Sequence, residues 1–427
     1  MGLSRQLLAS YAAMAVSTAM PLVAMPVYAK ALGAQGWGLA SYAFLLQLMI
    51  TLLDQGFSQS LVKEMAGARL AGANTFRALW RGLERFYGLA ACAVALILAL
   101  LSHSLATGVA GRSGIDVDAA RHIVLLSSLL IAVQLPASLY RSALLAAEWH
   151  VPNSLLVIGG QLVRHGGAMA VALAFGQPEP YLLWMVAAGL GESLSRRTVL
   201  RHLIQRDASE ADASAAAALR VREVLQRSAK MSLAVLLGSL AVYMDRFLVG
   251  QSLPVEQLGI YTLASTAAIG ATQLIYPICQ LSLPRLIQAR SDAGARHRVN
   301  RRMLLQISAV VLAVGLAYAA VGAQVIAWWL KSDSLVLQVM PLLSWLLLGS
   351  ALNAFYNIGY LNWIADGDHQ RILKVYGICL GAGALLVPWA ISRYGLLGAV
   401  TGWILVNIVC FVASTLWITG SWRHGHD

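Results

Sequence analysis

Twelve continuous apolar runs, each about as long as a lipid hydrocarbon core is thick, set the terms for this chain. They fall at roughly 7–29, 37–60, 83–107, 121–143, 154–175, 180–200, 230–250, 258–283, 303–330, 337–362, 372–392 and 395–420. A helix rising about 1.5 Å per residue needs about 20 apolar residues to cross such a core. The runs are continuous rather than alternating, which predicts helices and argues against an outer-membrane barrel. Composition agrees: 59% of the 427 residues are hydrophobic and only 12% are charged, with mean hydropathy +0.68. That is about half the charge a soluble globule carries on its surface. A soluble enzyme, a disordered chain and a disulfide scaffold are therefore excluded. The first run is flanked only by Arg5 and ends without a small-residue cleavage site, so it reads as a retained helix rather than a signal peptide.

The chain nevertheless carries a net charge of +12. Twelve crossings with the N-terminus inside place only Lys30, Arg112, Arg121, Lys331 and Arg393 outside, and Arg164 and Arg246 within runs. The other 24 of the 31 Lys and Arg fall on the inner face. This asymmetry is the positive-inside pattern. It makes both termini cytoplasmic and explains the charge without a nucleic-acid partner. The basic segments 61–85 and 284–302 read as part of the same topology charge, although the first also has the pattern of an amphipathic surface helix. Cys92, Cys279, Cys379 and Cys410 all lie inside runs, with no disulfide or metal spacing, and read as small apolar residues.

The polar, Ala/Ser-rich stretch 201–229 divides the runs six and six. It reads as a cytoplasmic linker between an N-terminal lobe, 1–200, and a C-terminal lobe, 230–427. The lobes look like repeats. AQGWGLASYA (34–43) corresponds to VEQLGIYTLA (255–264), with Gly38 set on Gly259 and Ala68-Arg69 then falling on Ala289-Arg290. AAEWHVPN (146–153) and IADGDHQR (364–371) occupy corresponding inner loops. An even helix number per lobe makes this a parallel repeat, the organisation of alternating-access transporters whose lobes rock about a shared substrate site. A membrane polymerase would more often carry a large outer loop; here the longest is about 108–120, and Asp116 and Asp118 are its one close pair of acids. There is no GxxxxGK[ST] motif for ATP hydrolysis.

Ionisable and polar groups inside the runs are the candidate functional residues, since each costs about 2.5–3.5 kcal/mol at mid-helix on insertion scales. Arg164 sits mid-run in LLVIGGQLVRHGGAMAVALAFG, beside His165 and between glycine pairs 159–160 and 166–167. It reads either as a cation holding a phosphate or other anion, or as half of an internal ion pair. His165 has the same two readings, ligand contact or packing. Asp245 and Arg246 point about 100° apart on one helix, as gate residues or as interhelical salt bridges. Asp54 and Glu192 are candidate gating or ion-coupling carboxylates. Their plainer readings are a structural hydrogen bond for Asp54 and pairing with nearby Arg196 and Arg197 for Glu192. Asn353 and Asn357, with Tyr360, form a polar stripe for sugar hydroxyls or for a neighbouring helix. Pro21, Pro26, Pro136 and Pro277 predict kinks.

The stretch YAKALGAQGWGLASYAFLLQLMITLLDQGFSQSLVKEMA (28–66) resembles the N-terminal signature of Wzx-type polysaccharide flippases of the multidrug/oligosaccharidyl-lipid/polysaccharide (MOP) exporter superfamily. Lys30, Leu32-Gly33, Gly38 and Asp54-Gln55-Gly56-Phe57 carry the match. Asp245-Arg246, Gly250, Leu258-Gly259 with Tyr261, and Pro284-Arg285-Leu286 extend it into the second half. The resemblance implies an all-α polytopic protein of two six-helix lobes with the MOP fold. It implies movement of an undecaprenyl-diphosphate-linked oligosaccharide across the bacterial inner membrane, with H⁺ or Na⁺ as coupling ion. Arg164, Arg246 and Lys30 would belong to a cationic cavity. Its partners would be the lipid-linked substrate, membrane lipids, a polysaccharide polymerase and a chain-length regulator. The chain lacks the two extra C-terminal helices of the lipid II flippases in that superfamily. The competing readings are a small-molecule or drug exporter of the same superfamily and a membrane polysaccharide polymerase.

Overall fold

A computed structural model describes residues 3–207, 221, 224 and 236–423. Every regular element among them is helical. The order is α1 (Leu3–Leu70), α2 (Ala73–Ser113), α3 (Val117–Ala146), α4 (His150–Phe175), α5 (Pro178–Asp207), α6 (236–252), α7 (Val255–Thr272), a 3₁₀ turn (Gln273–Ile275), α8 (Tyr276–Gln288), α9 (Ala293–Leu330), α10 (Asp333–Asp366), α11 (His369–Tyr394) and α12 (Leu396–Arg423). Helices close their own backbone hydrogen bonds, which is what a water-free bilayer interior demands. Nine stretches of the described residues are long and apolar enough to cross a membrane. The chain is a multi-pass membrane protein.

The first two apolar runs meet inside α1 without a loop. The join is Gly33, at φ 71 and ψ 177, a conformation open to glycine and strained for other residues. In the proposed repeat Gly33 corresponds to Pro254, which separates α6 from α7. The eighth run also divides: the 3₁₀ turn interrupts it, and Pro277 opens α8, where its missing N–H costs nothing. Pro21, Pro26 and Pro136 lie within continuous α1 and α3. The segment 108–120 is not a long outer loop; α2 runs to Ser113, and Asp116 caps α3 by accepting the Ala119 N–H at 3.0 Å. The basic segment 61–85 is the end of α1 and the start of α2 rather than a separate surface helix.

The helices form two compact units. Unit 1 comprises Met1–Leu236 and Pro254–Gly259; unit 2 comprises Leu237–Leu253 and Ile260–Asp427. In unit 1 the largest core cluster joins Leu61 and Met65 of α1, Phe76, Trp80 and Leu83 of α2, Tyr140 and Leu144 of α3, and Leu200 and Ile204 of α5. Burial of Ile204 explains why α5 continues to Asp207, into the stretch read from sequence as linker. Of the rest of that stretch only Val221 and Val224 are described; both pack on this core. The rest of 201–229, and the first residues of the seventh run, lie outside the described residues. Unit 2 has its own core, from Ile275, Leu286 of α8, Met303 and Ile307 of α9, and Ala354, Ile358 and Leu361 of α10. Large apolar side chains also point outward, such as Leu89, Leu96 and Leu100 of α2 and Leu305, Leu312 and Leu316 of α9. Such faces suit lipid rather than water.

Candidate functional site

Unit 1 gathers its charged interior groups between α3, α4 and α5. Arg164 reaches from α4 to Glu192 of α5, with Nη2 at 2.5 Å from Oε2. Arg196, one turn further along α5, takes the other carboxylate oxygen at 2.5 Å. Arg196 also donates to the Ala137 carbonyl of α3 at 3.3 Å. One carboxylate thus serves two guanidiniums, and the cluster keeps one unit of positive charge. The glycines around Arg164 divide by use. A Cβ on Gly160 would lie 3.0 Å from Glu192 Cδ, and one on Gly167 would collide with the Trp184 ring, so both let α5 side chains lie against α4. Trp184 Nε1 fills the second space by donating to the Arg164 carbonyl at 3.2 Å. Gly159 and Gly166 face open space.

His165 turns to a different neighbour. The Tyr28 hydroxyl of α1 lies 3.0 Å from its Nδ1 and also donates to its carbonyl at 3.3 Å. Tyr181 of α5 stacks edge-on against Tyr28 with ring centres 4.8 Å apart. Asp54 accepts the Ser58 hydroxyl at 2.9 Å and the Tyr87 hydroxyl of α2 at 2.8 Å. Arg197 does not pair with Glu192. It binds Glu84 of α2 at 2.6 Å, and the same oxygen accepts the Tyr140 hydroxyl at 2.8 Å, so three helices meet on one carboxylate. Lys30 is exposed.

In unit 2, Asp245 is buried and accepts the Tyr261 hydroxyl at 2.5 Å and the Arg246 backbone N–H at 2.8 Å. The Arg246 guanidinium points elsewhere, 5.4 Å from the centre of the Tyr243 ring, with no ion pair among the described residues. Both residues line a small cleft with Tyr243, Ser265, Leu346 and Trp403. Asn353 donates to Asn407 of α12 at 2.8 Å, and Asn357 donates to the Asn353 carbonyl at 2.8 Å. Within this stripe Asn353 bridges α10 to α12, while Asn357 bonds back within α10.

The structure brings Arg164 and Glu192 together, and separately Asp245 and Arg246. Sequence reasoning passed over Glu84, Tyr28, Tyr181 and Asn407. Asn407 left a signal, a lone amide in WILVNIVCF. Glu84 left little, because at a run's edge it looks like any solvated charge. Asp116, half of the acid pair a polymerase would need, caps a helix instead.

Comparison with known proteins agrees with this architecture. The profile of a family described as "Polysaccharide biosynthesis protein" matches residues 5–290. A protein of Shigella flexneri named "Putative O-antigen transporter" is 23% identical over 175 residues, a match spanning 40% of this chain and 41% of that protein. Among solved structures, lipid II flippase MurJ in an inward closed conformation aligns with TM-score 0.72 and 11% identity, covering 96% of this chain and 87% of that one. An inward-facing multidrug resistance MATE family transporter of the MOP superfamily aligns with TM-score 0.70 and 16% identity, covering 95% and 94%. These likenesses establish a MOP-type fold. With well over half of its length matched by the family profile, this chain belongs to the polysaccharide biosynthesis protein family.

Proposed function

We propose that this protein is a flippase that moves an undecaprenyl-diphosphate-linked oligosaccharide from the inner to the outer leaflet of the bacterial inner membrane by alternating access. The observation that carries this reading is Arg164, a mid-span guanidinium that is only half compensated by the carboxylate it shares with Arg196. An anionic head group crossing a hydrocarbon core needs such a fixed cation, and a planar guanidinium fork suits diphosphate oxygens. Arg246, which makes no ion pair among the described residues, is a second contact of the same kind. Lys30, His165, Asn353 and Asn357 complete the proposed substrate contacts, with Asp54, Asp245 and Glu192 in gating or ion coupling. The reading includes twelve spans in two six-helix lobes, 1–200 and 230–427, both termini in the cytoplasm, and an H⁺ or Na⁺ gradient as driving force. The family match and the Shigella relative's name support it.

In a deletion strain, plasmid-borne Arg164→Ala is expected to abolish surface polysaccharide while protein level and membrane insertion stay normal. Undiminished polysaccharide in that strain would remove Arg164 from the substrate path. A MATE-like drug exporter is the second reading, favoured by the shared fold. It predicts drug sensitivity on deletion with surface glycan intact.

A further inference from the structure

We propose that Glu192 is a resident counter-anion: it holds Arg164 while the site is empty and yields it to the diphosphate of a polyprenyl substrate, so that this carboxylate sets the site's affinity. The inference rests on the reading of Arg164 as the substrate's anion partner.

The two arginines are held unequally. Arg196 lies one turn from Glu192 on the same helix, is 7% exposed in its side chain and has the Ala137 carbonyl as a further acceptor. Arg164 comes from the neighbouring helix, is 15% exposed, and among the described residues Glu192 is its one side-chain hydrogen-bond partner. When an incoming anion competes for the cluster, Arg164 is the arm free to change partners. Arg196 keeps Glu192 neutralised, so no buried carboxylate is stranded.

The cluster is also short of partners. Arg164 Nε and Arg196 Nε are buried without an acceptor among the described residues. Buried polar groups are nearly always satisfied, so leftover donors beside an excess positive charge mark a place that an anion completes. A diphosphate brings more charge and more oxygens than the carboxylate it replaces. The bare backbone of Gly160 gives Glu192 its resting space. Here Glu192 is a positioning residue that acts through Arg164.

The test uses the full-length protein in nanodiscs and farnesyl diphosphate as the probe, with farnesol as the uncharged control. Removing the competing charge with Glu192→Gln is expected to tighten farnesyl diphosphate binding by about tenfold or more, the scale of a charge-assisted hydrogen bond. The gain should vanish in the Glu192→Gln/Arg164→Gln double variant and be absent for farnesol. Glu192→Asp keeps the charge but withdraws it, and is expected to move affinity in the same direction by a smaller factor. It decides the matter if Glu192→Gln does not fold. A Glu192 that only supports the fold predicts weaker binding in both variants. Unchanged or weaker binding in a folded variant overturns the proposal, as does an equal gain for farnesol. If the wild type binds and neither variant tightens, this inference alone falls. If neither the wild type nor a folded variant binds farnesyl diphosphate, the reading of Arg164 falls with it.

Discussion

One methyl group added at position 38 has nowhere to go. A Cβ there would lie 2.3 Å from the Val255 carbonyl oxygen and 2.8 Å from the Glu256 nitrogen, both backbone atoms that cannot rotate aside. Gly259, its counterpart in the repeat, faces it: a Cβ at 259 would lie 3.3 Å from the Gly38 nitrogen, and Trp37 Nε1 donates to the Gly259 carbonyl at 3.0 Å. Gly38→Ala is therefore expected to destabilise the folded protein by about 1–3 kcal/mol, the usual cost of forcing extra volume into a packed site. Gly259→Ala should cost less, since its nearest obstacle is a side-chain atom, Trp37 Cδ1 at 2.8 Å. Thermal melts of the purified variants in detergent measure both; an unchanged midpoint for Gly38→Ala would show that this segment shifts freely. The sequence marked these glycines as equivalent, and it marked Arg164 as a charge out of place. It could not show that residues 38 and 255, or 164 and 192, share a contact, because that depends on how separate helices meet.

At the level of elements, one end of unit 2 is tied by a polar knot that joins α9 to α10. Arg296 donates to Asn362 Oδ1 at 2.7 Å and pairs with Asp366 at 2.7 Å. Asn362 in turn donates to Asn300 at 2.8 Å, and Arg290 donates to the Asp366 carbonyl at 2.8 Å. In unit 1 the counterpart of Arg290 is Arg69, which lies 5.1 Å from the ring centre of Trp149 in the counterpart loop. Each unit thus has an arginine from just beyond its second apolar run against the turn after its fourth, by a hydrogen bond to a backbone carbonyl in one case and a cation–π contact in the other. Arg296→Ala strips a buried asparagine and a half-buried carboxylate of their shared donor. It is expected to lower stability by about 1–3 kcal/mol, read as a lower melting temperature, while Arg298→Ala, on an exposed neighbour, should leave the midpoint in place. Equal shifts for both would deny the knot a structural role. The helices here were legible from their apolar runs, and the corresponding loops from their repeat position. The knot was not: Arg290 and Arg296 sit in the basic segment after the eighth run, where the positive-inside rule already accounts for every arginine. The same rule masked Glu84 and Arg197, whose pairing across 113 residues is a fact of packing rather than of pattern.

For the molecule as a whole, the distribution of charge ties the chain to a direction across the membrane. Lys and Arg resist translocation and are drawn to the anionic inner leaflet, and 24 of 31 fall on one predicted face. A shift of one span would scatter them onto both faces. The helix ends supply exposed positions to probe this: Arg201 near the end of α5 and Arg301 near the start of α9 for the inner face, Gly114 after α2 and Arg393 near the end of α11 for the outer. In a background with the four native cysteines replaced, Gly114→Cys and Arg393→Cys are expected to react with a membrane-impermeant maleimide on intact spheroplasts. Arg201→Cys and Arg301→Cys should react only after the membrane is opened. Each pair takes one position from each unit, so each unit is tested on both faces. Labelling of Arg301→Cys from outside would invert unit 2 and break the parallel repeat. Labelling of Arg201→Cys from outside would invert unit 1, which the single basic residue ahead of the first apolar run, Arg5, is too weak a signal to exclude alone. The expected pattern requires an even number of crossings between Arg201 and Arg301 and an odd number between Gly114 and Arg201. Those parities hold for twelve spans only if α6 is one crossing and α7 with α8 together make another, which is the role the 3₁₀ turn before Pro277 must play: a bend within one span, not a loop between two.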